Sequence, residues 1–238
     1  MQSVNCNENL RRREKILRKD RTDRELILYS FKRCPFAIRA RLSIYFSSIR
    51  CQIREISLKN KPPEFILISP KGTVPVLVRE DQSVIEESFD IIKWILSESD
   101  PNDLLAPLYD KNEDVEYFIN LFDIDFKYHL DRYKYSSRYD IARKYEHRES
   151  ACEILKVIND KITETGFIYG NKISLYELCI LPFVRQFMIA DPDWFEGYFK
   201  YDKVRKSLHR LIESEAFKIT MKKYDQWVDD KSRVEYFP

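Results

Sequence analysis

Apolar positions in the first hundred residues change period several times. The run LILYS (26–30) is short and apolar until it nears a turn, which predicts a buried strand. Residues 35–47 then place Phe36, Ala40, Ile44 and Phe46 at roughly helical spacing. QIREISL (52–58) alternates, setting Ile53, Glu55 and Ser57 against their neighbours, as a strand would. Residues 63–68 predict a short helix. VPVLVRE (74–80) and QSVIEE (82–87) read as two short strands joined by a tight turn at Glu80-Asp81. ESFDIIKWILS (87–97) predicts a helix with Phe89, Ile92, Trp94 and Ile95 largely on its apolar side. The order is βαβ, then αββα, and it ends at the linker-like DPND (100–103).

Beyond that linker the helical period takes over. Residues 112–135 are amphipathic and rich in aromatics. Residues 141–164 carry Ile154, Leu155 and Ile158 at helical intervals. ISLYELCILPFVRQFMIA (173–190) is the most apolar helix, and Ser174 with Glu177 forms an S-x-x-E capping box at its start. Two more helical stretches cover roughly 202–227. The predicted organisation is a basic extension over 1–24, an α/β domain over 25–99, a linker over 100–110 and an all-α domain over 111–238.

Composition narrows the class. Hydrophobic residues make up 44% and charged residues 34% of the chain, enough for a sizeable core under a solvated surface. The formal net charge of +2 argues against bulk nucleic-acid binding, which needs a basic excess. No apolar run reaches the ~20 residues that cross a bilayer, and the first stretch lacks the apolar core of a secretory signal. The basic residues of the first two dozen positions are interleaved with Glu14, Asp20 and Asp23, which fits a solvated tail or a contact arm for an acidic partner. Five cysteines without C-x-x-C spacing argue against a disulfide framework and fit a reducing cytoplasm. Three histidines and no Cys/His cluster make a zinc site an unexpected feature. Only four glycines occur, which excludes a Gly-rich nucleotide loop.

The chemistry concentrates in YSFKRCPFAIRARL (29–42). If a strand ends near Ser30 and a helix begins near Pro35, Cys34 lies at a helix N-terminus, and proline suits the first helical turn. The helix dipole, the unpaired backbone amides and the charges of Lys32 and Arg33 all favour a thiolate there. Such a thiolate is a nucleophile and a disulfide-exchange centre. Ala37 stands where a C-x-x-C site would have its second cysteine, so a redox cycle needs an external thiol, which points to glutathione. In SPKGTVPVLV (69–78), a cis Val74-Pro75 step would leave the Val74 backbone able to pair with an extended peptide, while a trans proline at a strand edge is the plain alternative. In EES (86–88), Glu87 and Ser88 could hold a ligand bearing both a carboxylate and an ammonium group, or simply cap the helix.

Taken together, the strand, C-P-F-A, S-P-K-G-T-V-P-V-L, the E-S pair at a helix start and the helical second half resemble a glutathione transferase from about residue 26 onward. C-P-F-A and LKNKPPEF (58–65) resemble the omega-like, cysteine-type class. HLDRYKY (129–135) and LPFVRQF (181–187) resemble a bacterial branch. The resemblance implies a thioredoxin-like first domain, glutathione as co-substrate, no metal and a homodimer. It implies Cys34 as the catalytic residue forming a mixed disulfide with glutathione. It implies Lys59 at the glycyl carboxylate, Val74 before Pro75 at the cysteinyl backbone, and Glu87 with Ser88 at the γ-glutamyl end. Phe36 would border the thiol. Phe118, Phe122, Phe126 and Tyr128 would either line an acceptor pocket or serve as core, with core favoured for most. Thiol transfer or dehydroascorbate reduction suits a cysteine site better than conjugation. The rival expectation is a non-catalytic binding protein of the same fold. Membrane insertion through the first helix is disfavoured because it carries Arg39 and Arg41.

Overall fold

The computed structural model describes residues 25–228 and 234–238. The predicted basic extension, 1–24, lies outside them. The described chain forms two compact units. One takes the residues up to Ser99 together with Ile219–Pro238, and the other is Asp100–Lys218.

The first unit is built on a mixed sheet. Its strands are β1 (Ile27–Ser30), β2 (Cys51–Glu55), β3 (Val76–Val78), β4 (Val84–Ile85) and β5 (Tyr236–Phe237), in the order β4-β3-β1-β2-β5. β1 pairs in parallel with β2, which requires a crossover, and helix α1 (Pro35–Ser47) supplies it. β3 runs antiparallel to β1, β4 to β3 and β5 to β2. Every residue of β1 is buried because helices cover both faces of the sheet. The side-chain period of two sorts the residues. Leu28, Ile53 and Leu77 pack with Ala40 and Ile44 of α1 and with Ile91 and Ile95 of α3 (Ser88–Glu98). Ile27, Tyr29, Val76 and Val78 pack on the other side with Phe65 and Ile68 of α2 (Pro63–Ile68).

Two sequence expectations are corrected in this unit. The apolar side of α3 is Ile91, Ile92, Ile95 and Leu96, whereas Phe89 and Trp94 are only half-buried. On α1, whose helical spacing placed Phe36, Ala40, Ile44 and Phe46, only Ala40 and Ile44 of those four are buried, and the largest fully buried side chains are Arg39 and Arg41, both 0% exposed. A guanidinium can be buried only with partners, and those partners lie far away in the chain.

The second unit is helical: α4 (Ala106–Tyr109), α5 (Val115–Asn120), α6 (Lys127–Lys134), α7 (Lys144–Lys161), α8 (Leu175–Ala190), α9 (Pro192–Tyr198), α10 (Asp202–Glu213) and the start of α11 (Glu215–Thr220). The single helix expected over 112–135 is α5 and α6 joined by a π-helical stretch, Leu121–Phe126. α8 is its centre, with every residue from Leu175 to Val184 buried. The predicted capping box is present: Ser174 Oγ accepts the Tyr176 N–H, and the Glu177 carboxylate accepts the Ser174 N–H at 2.9 Å. Phe122 and Phe126 are core, 1% and 0% exposed, and Phe126 packs on Phe187 of α8. Phe118 is half-buried and Tyr128 exposed.

The helical domain expected to run to residue 238 ends earlier. From Ile219 the chain belongs to the sheet unit, where β5 adds a strand beside β2 and buries Phe237 completely. A two-residue strand leaves no periodic trace in a sequence, so the return was invisible there.

Candidate active site

Cys34 is the N-cap of α1, with extended backbone and Pro35 at the first helical position. Its carbonyl accepts the Ile38 N–H at 2.9 Å, and its own N–H closes a turn onto the Phe31 carbonyl at 2.9 Å. That geometry puts the side chain beside the first-turn amides, which have no intrahelical acceptor and attract negative charge. The thiol is half-buried and lies 3.6 Å from the Val74 carbonyl oxygen, to which it donates. Val74-Pro75 is cis. The preceding turn needs Gly72: its φ is +61°, and a Cβ there would sit 2.9 Å from Ile66 Cδ1.

Ser88 opens α3, with Glu87 as its N-cap. Ser88 is buried and its Oγ accepts a 2.9 Å hydrogen bond from Arg39 Nε. The Arg39 guanidinium lies over the Phe36 ring, 4.9 Å from its centroid. Phe36, Arg39 and Ser88 therefore form a chain of contacts from the helix that begins at Cys34 to the start of α3. Glu87 is exposed and paired with Lys71 at 2.7 Å, and this partner raises the lysine's pKa. Lys59 is exposed on the loop after β2. Arg39 and Lys71 had escaped the sequence reading. Lys71 stands within the quoted SPKGTVPVLV stretch, and Arg39 enters the sequence analysis only as a charge on the first helix.

The other cysteines among the described residues are chemically different. Burial pushes the Cys51 and Cys152 thiols up to about 12, and Cys179 is fully buried. Among the described residues no group of three or more His, Cys, Asp or Glu side chains could hold a metal ion, and no helix is long and apolar enough to cross a membrane.

A thioredoxin-like mixed sheet with a cysteine at its first helix, followed by a helical unit, is the architecture of the glutathione transferases. Residues 28–103 match the glutathione S-transferase N-terminal domain family, and the chain as a whole has the glutathione transferase fold. It is 40% identical over 80 residues to glutathione S-transferase omega-1 of Sus scrofa, a match covering 34% of this chain and 33% of that protein. It is 29% identical over 168 residues to glutathione S-transferase omega-1 of Rattus norvegicus, covering 68% of this chain and 67% of the relative. The chain thus spans about a third of the pig relative it matches and two thirds of the rat one. Among solved structures it superposes on glutathione transferase Omega 3C from Trametes versicolor with a TM-score of 0.71 at 19% identity, covering 90% of this chain and 96% of that one. It superposes equally, TM-score 0.71 at 17% identity, on a Pseudomonas putida glutathione transferase crystallised with one glutathione disulfide per subunit, covering 87% and 96%.

Proposed function

We propose that the chain is a glutathione-dependent thiol transferase of the omega-like, cysteine-type class, in its bacterial branch, with Cys34 as nucleophile. The observation that carries the reading is the placement of the Cys34 thiol at the N-terminus of α1, 3.6 Å from the carbonyl of Val74, beside the cis Pro75. An extended tripeptide lying along Val74 would pair with its backbone and bring a thiol to Cys34. Glu87 and Ser88 would take the γ-glutamyl end, with Lys71 and Arg39 holding those two side chains in place. Lys59 would attract the glycyl carboxylate, and Phe36 would border the thiol. The names of the relatives, glutathione S-transferases, support glutathione as co-substrate.

The reaction runs in two exchanges. The Cys34 thiolate attacks the glutathione sulfur of a mixed disulfide R–S–SG. A Cys34–SG bond forms, the S–S bond of R–S–SG breaks, and R–S⁻ leaves and takes a proton. A glutathione thiolate then attacks the Cys34-bound glutathione sulfur, releasing glutathione disulfide and the Cys34 thiolate. One glutathione is oxidised for each mixed disulfide reduced, with no second protein cysteine. A free thiolate requires a reducing compartment such as the cytoplasm, and a homodimer is the expected assembly.

The test is thiol-transferase activity with glutathione and a small glutathionylated disulfide, comparing native protein with Cys34→Ser. Activity lost in the variant, with a glutathione adduct mapped to Cys34 by mass spectrometry, supports the proposal. An inactive native protein without the adduct replaces it with a binding protein of the same fold. Ser88→Ala should raise KM for glutathione more than it lowers kcat, because the contact is made before the chemistry.

A further inference from the structure

We propose that Glu55 is a positioning residue for the Cys34 thiol, fixing the turn that carries it and tying that turn to the C-terminal segment. The inference rests on the reading of Cys34 as the nucleophile. Glu55 ends β2 and its side chain is 13% exposed. Its two carboxylate oxygens serve different masters in the fold. Oε1 accepts the backbone N–H of Lys32 at 2.6 Å, within the turn Phe31–Cys34. Oε2 pairs with the guanidinium of Arg41, which is wholly buried. Arg41 also donates to Ser30 Oγ at 2.8 Å and to the Thr220 carbonyl at 3.2 Å.

This arrangement is more than charge neutralisation of Arg41. A carboxylate needed only for that purpose has no reason to place its other oxygen on the amide two residues before Cys34. The turn is held from the same strand end at a second point, since the Ser30 carbonyl accepts the Ile56 N–H at 2.7 Å. With Ser30 and Lys32 both fixed, and the Cys34 N–H closed onto Phe31, the direction of the thiol toward Val74 is set. The C-terminal segment reaches the same residue: the Glu55 carbonyl accepts the Trp227 N–H at 2.8 Å. Trp227 packs on Tyr29 and against the apolar cluster that also receives Phe31 and Cys34.

Removing Glu55 alone would strand a buried guanidinium and risk unfolding, so the test uses two double variants that both lack the ion pair. Arg41→Met/Glu55→Gln keeps an amide oxygen for the Lys32 N–H, and Arg41→Met/Glu55→Met has none. The readout is the second-order rate of iodoacetamide labelling at Cys34, resolved by mass spectrometry as a function of pH, with folding checked by circular dichroism. The glutamine variant should label within about twofold of native protein and the methionine variant roughly tenfold more slowly, the scale of one lost hydrogen bond. Equal rates in the two variants overturn the positioning role while leaving Cys34 as nucleophile. A native Cys34 that labels no faster than the buried Cys51 and Cys152 overturns the functional reading, and the positioning role falls with it. Should either double variant fail to fold, hydrogen exchange on native protein decides. A slowly exchanging Lys32 amide supports the contact, and one exchanging at the rate of a free surface amide overturns it.

Discussion

Phe237 offers a sharp test of the C-terminal return. It lies in the two-residue β5, well beyond the helical unit in sequence, yet it is 0% exposed. It sits in one cluster with Leu26, Leu28, Cys51, Ile53 and Ile95, and its backbone pairs with Cys51. Replacing it with alanine removes a whole ring from water-free surroundings and leaves a cavity that the surrounding core closes only in part. Phe→Ala changes in cores cost about 3–5 kcal/mol. The lower end, about 3 kcal/mol, applies here because β5 is short and at the sheet edge, so it can partly relax. With a urea m-value of about 2 kcal/mol/M for a unit of this size, the unfolding midpoint of the sheet unit should fall by about 1.5 M. The assay is urea unfolding followed by hydrogen exchange at Leu28 and Ile53, which reports on this unit and not on the helical one. Val234→Ala, at a position 43% exposed, is the control and should leave the midpoint in place. A shift below about 0.3 M for Phe237→Ala would refute the claim that the C-terminal residues belong to this core.

Three further outcomes are expected. Iodoacetamide at pH 8 should label Cys34 and spare Cys51, Cys152 and Cys179 in the folded protein, because burial holds the first two spared thiols near 12 and excludes reagent from all three; peptide mapping with equal labelling of Cys51 would contradict this. His129 and His147 lie Nδ1 to Nδ1 at 3.0 Å, and burial lowers both pKa values, with the His147 charge also acting on His129 and those of Arg143 and Arg132 on His147. The folded state then binds fewer protons than the unfolded one, so stability is full above the ordinary histidine pKa of about 6.5 and declines as pH falls below it. Urea midpoints at pH 7.5 and 5.5 should show that decline, and His147→Asn should flatten it. Ser174→Ala should cost about 1 kcal/mol as a lost N-cap, read as a lower midpoint for the helical unit, because Ser174 Oγ contacts both the Tyr176 N–H and the Glu177 carboxylate.

What the sequence by itself determined was local. The Cys-Pro step set the start of α1, the S-x-x-E pattern set the start of α8, and the change from period two to period 3.6 marked the passage from sheet unit to helical unit. Each of these is fixed by neighbours a few residues away, through dihedral limits, first-turn amides and alternating faces. Read from their own motifs, Val74-Pro75 stayed open between a cis and a trans step, and Glu87 with Ser88 between a ligand contact and a plain cap; only the resemblance joined them into a set. The tertiary structure decided everything that depended on distant partners. Arg39 and Arg41 stand in the sequence only as charges on the first helix and are buried in the fold, one on Ser88 and the other on Glu55 and on a carbonyl 179 residues further along the chain. Phe122 and Phe126 became core while Tyr128 stayed exposed, a division made by packing against α8. β5 and the Trp227 contact on Glu55 complete a sheet edge with residues that alone show no strand period. A buried charge or a two-residue strand has no stability without its partner, so neither leaves a signature that the local sequence can show.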